Sequence, residues 1–236
     1  MRIAVFSDVH ANLPALTAVL EFIEGLPLDR VLCLGDVVGY GPHPKEVIAL
    51  LIERNIPCTL GGSDMRAIFP NLGQKGPETE TVMAWTREQL GERERAYLRN
   101  LPPMIRFATP LGRAKAFHGR PEDPEARFPI YASESELAEH LAALRAPIVL
   151  VGGSHIPVFR KVAGHYILDP GSVGLTLGGE PGADLAVLTI KEDDVAARFY
   201  KLPYDFGQTA FDIQAWGLPE RIAEVIRTGR PLEPEG

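Results

Sequence analysis

The chain has 236 residues, of which 45% are hydrophobic and 23% charged, and its formal net charge is −7. Such a chain can bury a large core without disulfides. It has no apolar stretch of about 18 residues and no basic tract, which argues against a membrane span and against an extended nucleic-acid groove.

Residues 1–6 are apolar and branched, as expected of a strand buried on both faces. Asn12 and Pro14 then open a helix whose apolar face is Leu16, Val19, Leu20 and Ile23, and Gly25 stops it. A second strand is predicted over 30–34, parallel to the first. Pro44 starts a second helix. Residues 56–60 read as a third strand, ending at the turn Gly61-Gly62-Ser63-Asp64. Helices are predicted over 79–90 and 92–101, as a cap over a site or as a solvated layer on the sheet. Residues 104–109 and 113–117 form a predicted hairpin that ends at His118. Ser133 and Glu136 begin a helix to residue 145 with a capping box. Residues 148–151 are a buried strand. Four further strands, 158–162, 166–168, 185–190 and 196–202, read as a meander, followed by two short helices and a frayed tail at 233–236. No internal domain break is visible, so one domain over 1–236 is expected.

Cys33 and Cys58 fall in or beside apolar runs and read as small core residues of a reducing compartment. No signal-peptide pattern precedes the first strand. A cytoplasmic protein is expected. Oligomeric state is left open, with a homo-oligomer among the options.

The chemistry lies at the predicted strand tips. They deliver, in order, Asp8 and His10, Asp36, the turn at 61–64, His118 and His155. Ligands of open α/β sheets bind beyond the carboxyl ends of the strands. In an extended or turning segment, residues two apart point the same way, so Asp8 and His10 can share one ion. Carboxylates mixed with imidazoles suit Mn, Fe, Zn, Co or Ni better than Ca or Mg. The pattern points to a metal-dependent hydrolase.

Four segments carry a resemblance to a known family. They are Ser7-Asp8-Val9-His10-Ala11-Asn12-Leu13-Pro14-Ala15-Leu16, Gly35-Asp36-Val37-Val38-Gly39-Tyr40-Gly41-Pro42, His118-Gly119-Arg120-Pro121 and Asp169-Pro170-Gly171-Ser172-Val173-Gly174. In this order they resemble the calcineurin-like metallophosphoesterase superfamily, and within it the small bacterial and archaeal phosphodiesterase-type members. The resemblance implies a four-layer α/β/β/α sandwich of the metallo-dependent phosphatase type with two metals at its top. Asp8, His10, Asp36 and His155 would form the first site, with Asp36 bridging. Asp36 and His118 would serve the second site and the catalysis. A divalent transition metal (Mn, Fe, Zn, Ni or Co) and a small phosphate-ester substrate, a diester rather than a monoester, are implied with them.

The chain departs from the family pattern at three positions. Gly62 stands where the family has an asparagine ligand, Ser63 where it has the histidine that protonates the leaving group, and Gly153 where it has a histidine ligand. Loss even of groups that only orient ligands costs roughly 10–100-fold, and loss of a general acid roughly 10²–10⁴-fold. A weakened phosphoesterase is therefore expected. The alternative is a catalytically silent relative that binds a ligand or partner. Restoring Gly62→Asn, Ser63→His and Gly153→His is the sequence-based test between them. Other residues stay open at this level. Asn12 caps a helix or touches substrate. Arg120 meets a phosphate or pairs with Glu122 or Asp123. His43 substitutes as acid or is an ordinary loop residue. Asp64 is expected to support the turn.

Overall fold

In β1 (Arg2–Phe6) successive side chains face opposite ways. Ile3 and Val5 enter one hydrophobic cluster, Ala4 and Phe6 another, so this strand has a layer on each side. The computed structural model describes residues 1–70, 72 and 76–231. Among these, β1 pairs in parallel with β2 (Arg30–Cys33) and antiparallel with β8 (Ala183–Ile190), which pairs with β9 (Val195–Leu202). The second sheet runs in the order β3 (Met104–Thr109), β4 (Gly112–His118), β5 (Ile148–Gly152), β7 (His165–Pro170), β6 (Pro157–Val162).

Alternation builds the remaining layers too. Ile148 and Leu150 of β5 meet Ile3, Val5 and Leu188 in the cluster between the sheets. Val149 and Val151 face Leu137 and Leu141 of α6 (Glu134–Leu144). On the outer side of the first sheet, α1 (Leu13–Glu24) and α2 (Pro44–Glu53) cover Ala4, Phe6 and Val187. Helices thus flank two face-to-face sheets, the expected four-layer sandwich. A fully buried Ile, Val or Phe contributes about 1.5–3 kcal/mol before the entropy of ordering is subtracted, and β1 buries Ile3, Val5 and Phe6 completely. The strand that presents Asp8 is among the most firmly held parts of the molecule.

Three expectations are corrected. Residues 56–60 make only an isolated bridge, Cys33 with Cys58, because Pro57 has no N–H to extend a ladder. The turn at 61–64 is the start of a helix, α3 (Gly62–Ile68), with Gly61 as its N-cap. The four late strands are not one meander. β6 and β7 close the second sheet, β8 and β9 the first, and the segment between β7 and β8 crosses beneath the Asp8 loop, where Val173 and Gly174 donate to the carbonyls of Ser7 and Asp8.

The helical stretch resolves as α4 (Pro77–Gln89) and α5 (Glu92–Arg99), broken at Gly91 as expected. Val82 and Met83 of α4 pack with α7 (Phe206–Ala215) and α8 (Glu220–Thr228) in a further cluster. Ser133 caps α6 through the amide of Glu136. The expected frayed tail, 233–236, lies outside the described residues. No helix among the described residues is long and apolar enough to cross a membrane.

Candidate functional site

The tips of β1, β2, β4 and β5 converge on one point. His118 ends β4 in register with Gly152 of β5, while Asp8 and Asp36 follow the paired strands β1 and β2. Asp8, His10, Asp36 and His155 all have φ between 48° and 63°. Non-glycine residues seldom adopt this left-handed region, and such strain gathers at functional sites.

Asp8 is fully buried. Its Oδ2 accepts from the amide of Gly153 at 3.1 Å. Its Oδ1 has no hydrogen-bond partner and faces three imidazole Nε2 atoms: His155 at 3.1 Å, His10 at 3.7 Å and His118 at 4.0 Å. Asp36 Oδ2 lies 3.5 Å from His118 Nε2 and 3.8 Å from His10 Nε2. The Nε2 atoms of His10 and His155 are 3.3 Å apart. Two overlapping groups result, Asp8 with His10 and His155, and Asp8 with Asp36 and His118. Asp8 is the carboxylate common to both.

Backbone groups fix the ring orientations. Nδ1 of His118 donates to the Leu34 carbonyl at 2.9 Å, and Nδ1 of His155 to the Leu175 carbonyl at 2.7 Å. In the neutral ring each Nε2 is then a lone pair aimed inward, the arrangement in which a partner behind a histidine sets it up as a metal ligand. Asp36 is held through Oδ1 by the Ser63 amide at 2.8 Å and through Oδ2 by the Ser63 hydroxyl at 3.0 Å.

The electrostatics match a cation site in its metal-free form. Burial would raise the Asp8 pKa, but the charges of His155, His118 and His10 hold it well below the usual carboxylate range. Burial lowers His10 to about 4, against the pull of Asp36. Burial would lower His118 too, but Asp36 and Asp8 raise it to about 9. Asp64 accepts from the amides of Val38 and Gly61, each at 3.0 Å. Burial and the charge of Asp36 lift it to about 7. Its oxygens are engaged with backbone around the Asp36 loop, the supporting role expected of it. Asp169 does the same for the 152–155 turn, accepting from Ser154 and Gly171.

The departures at Gly62 and Gly153 are built into the backbone. Gly153 has φ +98°, and a Cβ there would lie 3.1 Å from His118 Nε2. At Gly62 a Cβ would meet the Glu125 Cα and Cγ at 3.3 Å. The loop carrying Pro124 and Glu125 takes the space into which a side chain at 62 would project.

A cavity of about 390 Å³ opens over the cluster. Beyond the ligand residues it is walled by Tyr40, Arg66, Glu125, Arg127, Leu175 and Leu177, none of which sequence reasoning selected. Arg66 pairs with Glu125 and, at 3.4 Å, with Glu80. Its only sequence signal is its place two residues after Asp64.

Three residues expected at substrate lie elsewhere. Asn12 is fully buried. It caps α1 through Ala15 N, donates to Gly174 O and Tyr204 OH, and accepts from Thr209 Oγ1, so no polar atom is left for a ligand. His43 stands at the N-cap position of α2 without a side-chain cap, and its Nε2 meets Asp212 Oδ2 of α7 at 3.1 Å. Arg120 Nε donates to the Arg127 carbonyl, and its backbone pairs with Asp123. None of the three lines the cavity.

The fold and this cluster define a metallophosphoesterase-type protein, and comparison with known sequences agrees. The calcineurin-like phosphoesterase superfamily domain matches residues 1–193, and the chain belongs to that family. It is 28% identical to an uncharacterized protein of Methanocaldococcus jannaschii, over 97% of this chain and 98% of that one. It is 24% identical to the phosphodiesterase YfcE of Escherichia coli K12, over 84% and 97%. A solved metallophosphoesterase of Sphaerobacter thermophilus shares 28% identity, with a TM-score of 0.80 over 97% of this chain and 99% of its own.

Proposed function

We propose that the chain is a metal-dependent phosphoesterase with one strong metal site and a weakened second one, acting on phosphodiesters in preference to monoesters. The observation that carries this reading is Asp8 Oδ1, a buried carboxylate oxygen without a hydrogen-bond partner and ringed by three imidazole Nε2 atoms. In the metal-free site the charges of the surrounding histidines offset the burial of Asp8, and a divalent cation would take over that role as the rings give up their protons. Asp8, His10 and His155 would hold it, with Asp36 alongside. Asp8, Asp36 and His118 would offer the weaker set. A bound divalent metal supplies Lewis acidity toward a phosphoryl oxygen and toward water.

The chain's own residues do the rest. The Leu34 and Leu175 carbonyls hold the His118 and His155 rings with Nε2 turned toward the carboxylates. Ser63 fixes Asp36. Of the two guanidiniums in the wall, Arg66 is committed to Glu125 and Glu80, which leaves Arg127 to meet the single charge of a diester. Ser63 supplies no imidazole acid, so the leaving group departs with little proton assistance. The rate should fall steeply as the leaving alcohol becomes less acidic. A nearly flat dependence would point to a general acid and contradict this account.

A second reading has one observation in its favour: the Pro124–Glu125 loop fills the space at Gly62, as in a site remodelled for binding. The buried thiols of Cys33 and Cys58 are unpaired, which fits a reducing, cytoplasmic setting under either reading. Metal content of the purified protein, with Mn²⁺-dependent hydrolysis of bis(p-nitrophenyl) phosphate, separates the two. Metal with turnover supports the enzyme. Metal without turnover on any diester sinks it and leaves a binding protein.

A further inference from the structure

Outside the ligand cluster, β8 carries a buried charge that the proposed chemistry does not use. Asp184 is 1% exposed. Strand alternation puts it on the same face as Ala186 and Leu188, which enter the apolar cluster between the sheets. Lys201 stands opposite it in register on β9, with Nζ 2.7 Å from Asp184 Oδ1. The fold alone has no need of this pair, because replacing a buried ion pair by apolar side chains is often neutral or stabilising.

The second carboxylate oxygen ties the pair to a loop. Asp184 Oδ2 accepts from the Thr176 hydroxyl at 2.6 Å, and Lys201 Nζ donates to the same hydroxyl oxygen at 3.2 Å. Thr176 is buried and is flanked by two residues that hold His155. The Leu175 carbonyl accepts from His155 Nδ1 at 2.7 Å, and the Leu177 amide donates to the His155 carbonyl at 3.1 Å. At the other end of the loop the Asp184 amide donates to the Ser172 carbonyl at 3.0 Å, and the Ser172 hydroxyl donates to the Asp8 carbonyl at 2.8 Å. Asp184 thus grips at two points the loop on which both Asp8 and His155 rest. Leu175 and Leu177 line the cavity, whereas Thr176, Asp184 and Lys201 do not.

We propose that Asp184 and Thr176, with Lys201 as countercharge, are positioning residues of the metal site, acting through Leu175 and Leu177 on His155. The inference rests on the metal-site reading above. A group behind a ligating histidine sets its ring orientation, and loss of such a group typically costs roughly 10–100-fold in metal affinity. Here that group is a backbone carbonyl, which no side-chain substitution removes. Its place is set by the neighbouring Thr176, whose single hydroxyl proton is spent on Asp184.

The test is calorimetric titration of the metal-free protein with Co²⁺, together with the visible absorption of the bound ion, which follows ligand number and geometry. Thr176→Val keeps the shape of the side chain but removes the hydroxyl. It is expected to weaken Co²⁺ binding about tenfold or more and to alter the absorption spectrum. Thr176→Ser keeps the hydroxyl and is expected to restore the wild-type affinity and spectrum. Asp184→Leu combined with Lys201→Met removes both charges together. It should weaken Co²⁺ to the same degree, and it provides the check if Thr176→Val does not fold. Wild-type affinity and spectrum in folded Thr176→Val, or in the folded double variant, overturns the proposal. So does a Thr176→Ser protein as weak as Thr176→Val, because packing rather than the hydroxyl would then set the affinity. In each of these failures the wild type still binds Co²⁺, and the metal-site reading stands. A wild-type protein that binds no Co²⁺ sinks that reading and this inference with it.

Discussion

The two halves of the ligand cluster are made differently. Around Asp8, His10 and His155, side chains do the work, and residues with φ of 48° to 63° hold them there. Around His118 the backbone takes over. Gly153 presents an amide to Asp8, Gly62 presents no side chain, and Ser63 spends its hydroxyl on Asp36. The first half keeps Asp8 with the Nε2 atoms of His10 and His155 turned toward it. The second keeps Asp36 and His118, and its remaining volume is shared with Pro124 and Glu125. The contrast shows that missing ligands need not leave a hole. At Gly62 the Pro124–Glu125 loop lies against the place of a side chain, so restoring one there would mean shifting that loop.

The largest expected effect breaks the first half. Asp8→Asn keeps the shape but removes the charge facing three histidines. It should lower bis(p-nitrophenyl) phosphate hydrolysis by at least about 100-fold, more than loss of a merely orienting group costs. Steady-state kinetics on folded protein checks this. A loss of only a few-fold would shift the weight to Asp36 and His118.

Next comes the attempt to complete the second half. The triple change Gly62→Asn, Ser63→His and Gly153→His should not raise activity. Gly153→His places a side chain at φ +98°, and Gly62→Asn runs into Glu125. The backbone strain at position 153 costs about 1–3 kcal/mol, visible as a lower Tm. Higher turnover from the triple variant would show that the loop yields, and that the second half is merely depleted.

Metal affinity should depend on pH through His118. In the metal-free protein Asp36 and Asp8 hold its pKa near 9, against the effect of burial. Below that pH a proton must leave before Nε2 can ligate. Occupancy involving His118 should therefore tighten by up to about tenfold per pH unit as pH rises toward 9, then level off. Titrations in buffers of different ionisation enthalpy would count the released proton. A pH-independent affinity would mean that His118 stays outside the metal's reach.

The smallest effect concerns a residue outside both halves. Asn12→Ala should cost about 1–2 kcal/mol through the lost cap and its buried partners, with KM unchanged. A raised KM in a variant of near-native Tm would return Asn12 to the substrate.

How much of this was readable beforehand follows from which contacts are local. The strands bearing Asp8, Asp36, His118 and His155 announce themselves as short apolar runs ending in polar tips. Helix α1 announces itself through Asn12, Pro14 and its spaced apolar face. Ligand positions at strand ends follow from those patterns. The split of β6 to β9 between two sheets did not, because partner choice rests on long-range pairing such as Arg2 with Thr189. The roles of Asn12 and His43 were equally hidden, since Thr209 and Asp212 come from α7, more than 160 residues further along the chain. The cavity walls depend on Arg66 and Glu125, and nothing in the local sequence says that these two meet.

Elemental analysis of wild-type protein beside Asp8→Asn, both purified and dialysed against Mn²⁺ in the same way, tests the central claim most directly. The account predicts about one or more equivalents of transition metal in the wild type and almost none in a folded Asp8→Asn variant. Equal metal in the two proteins, or none in either, would contradict it.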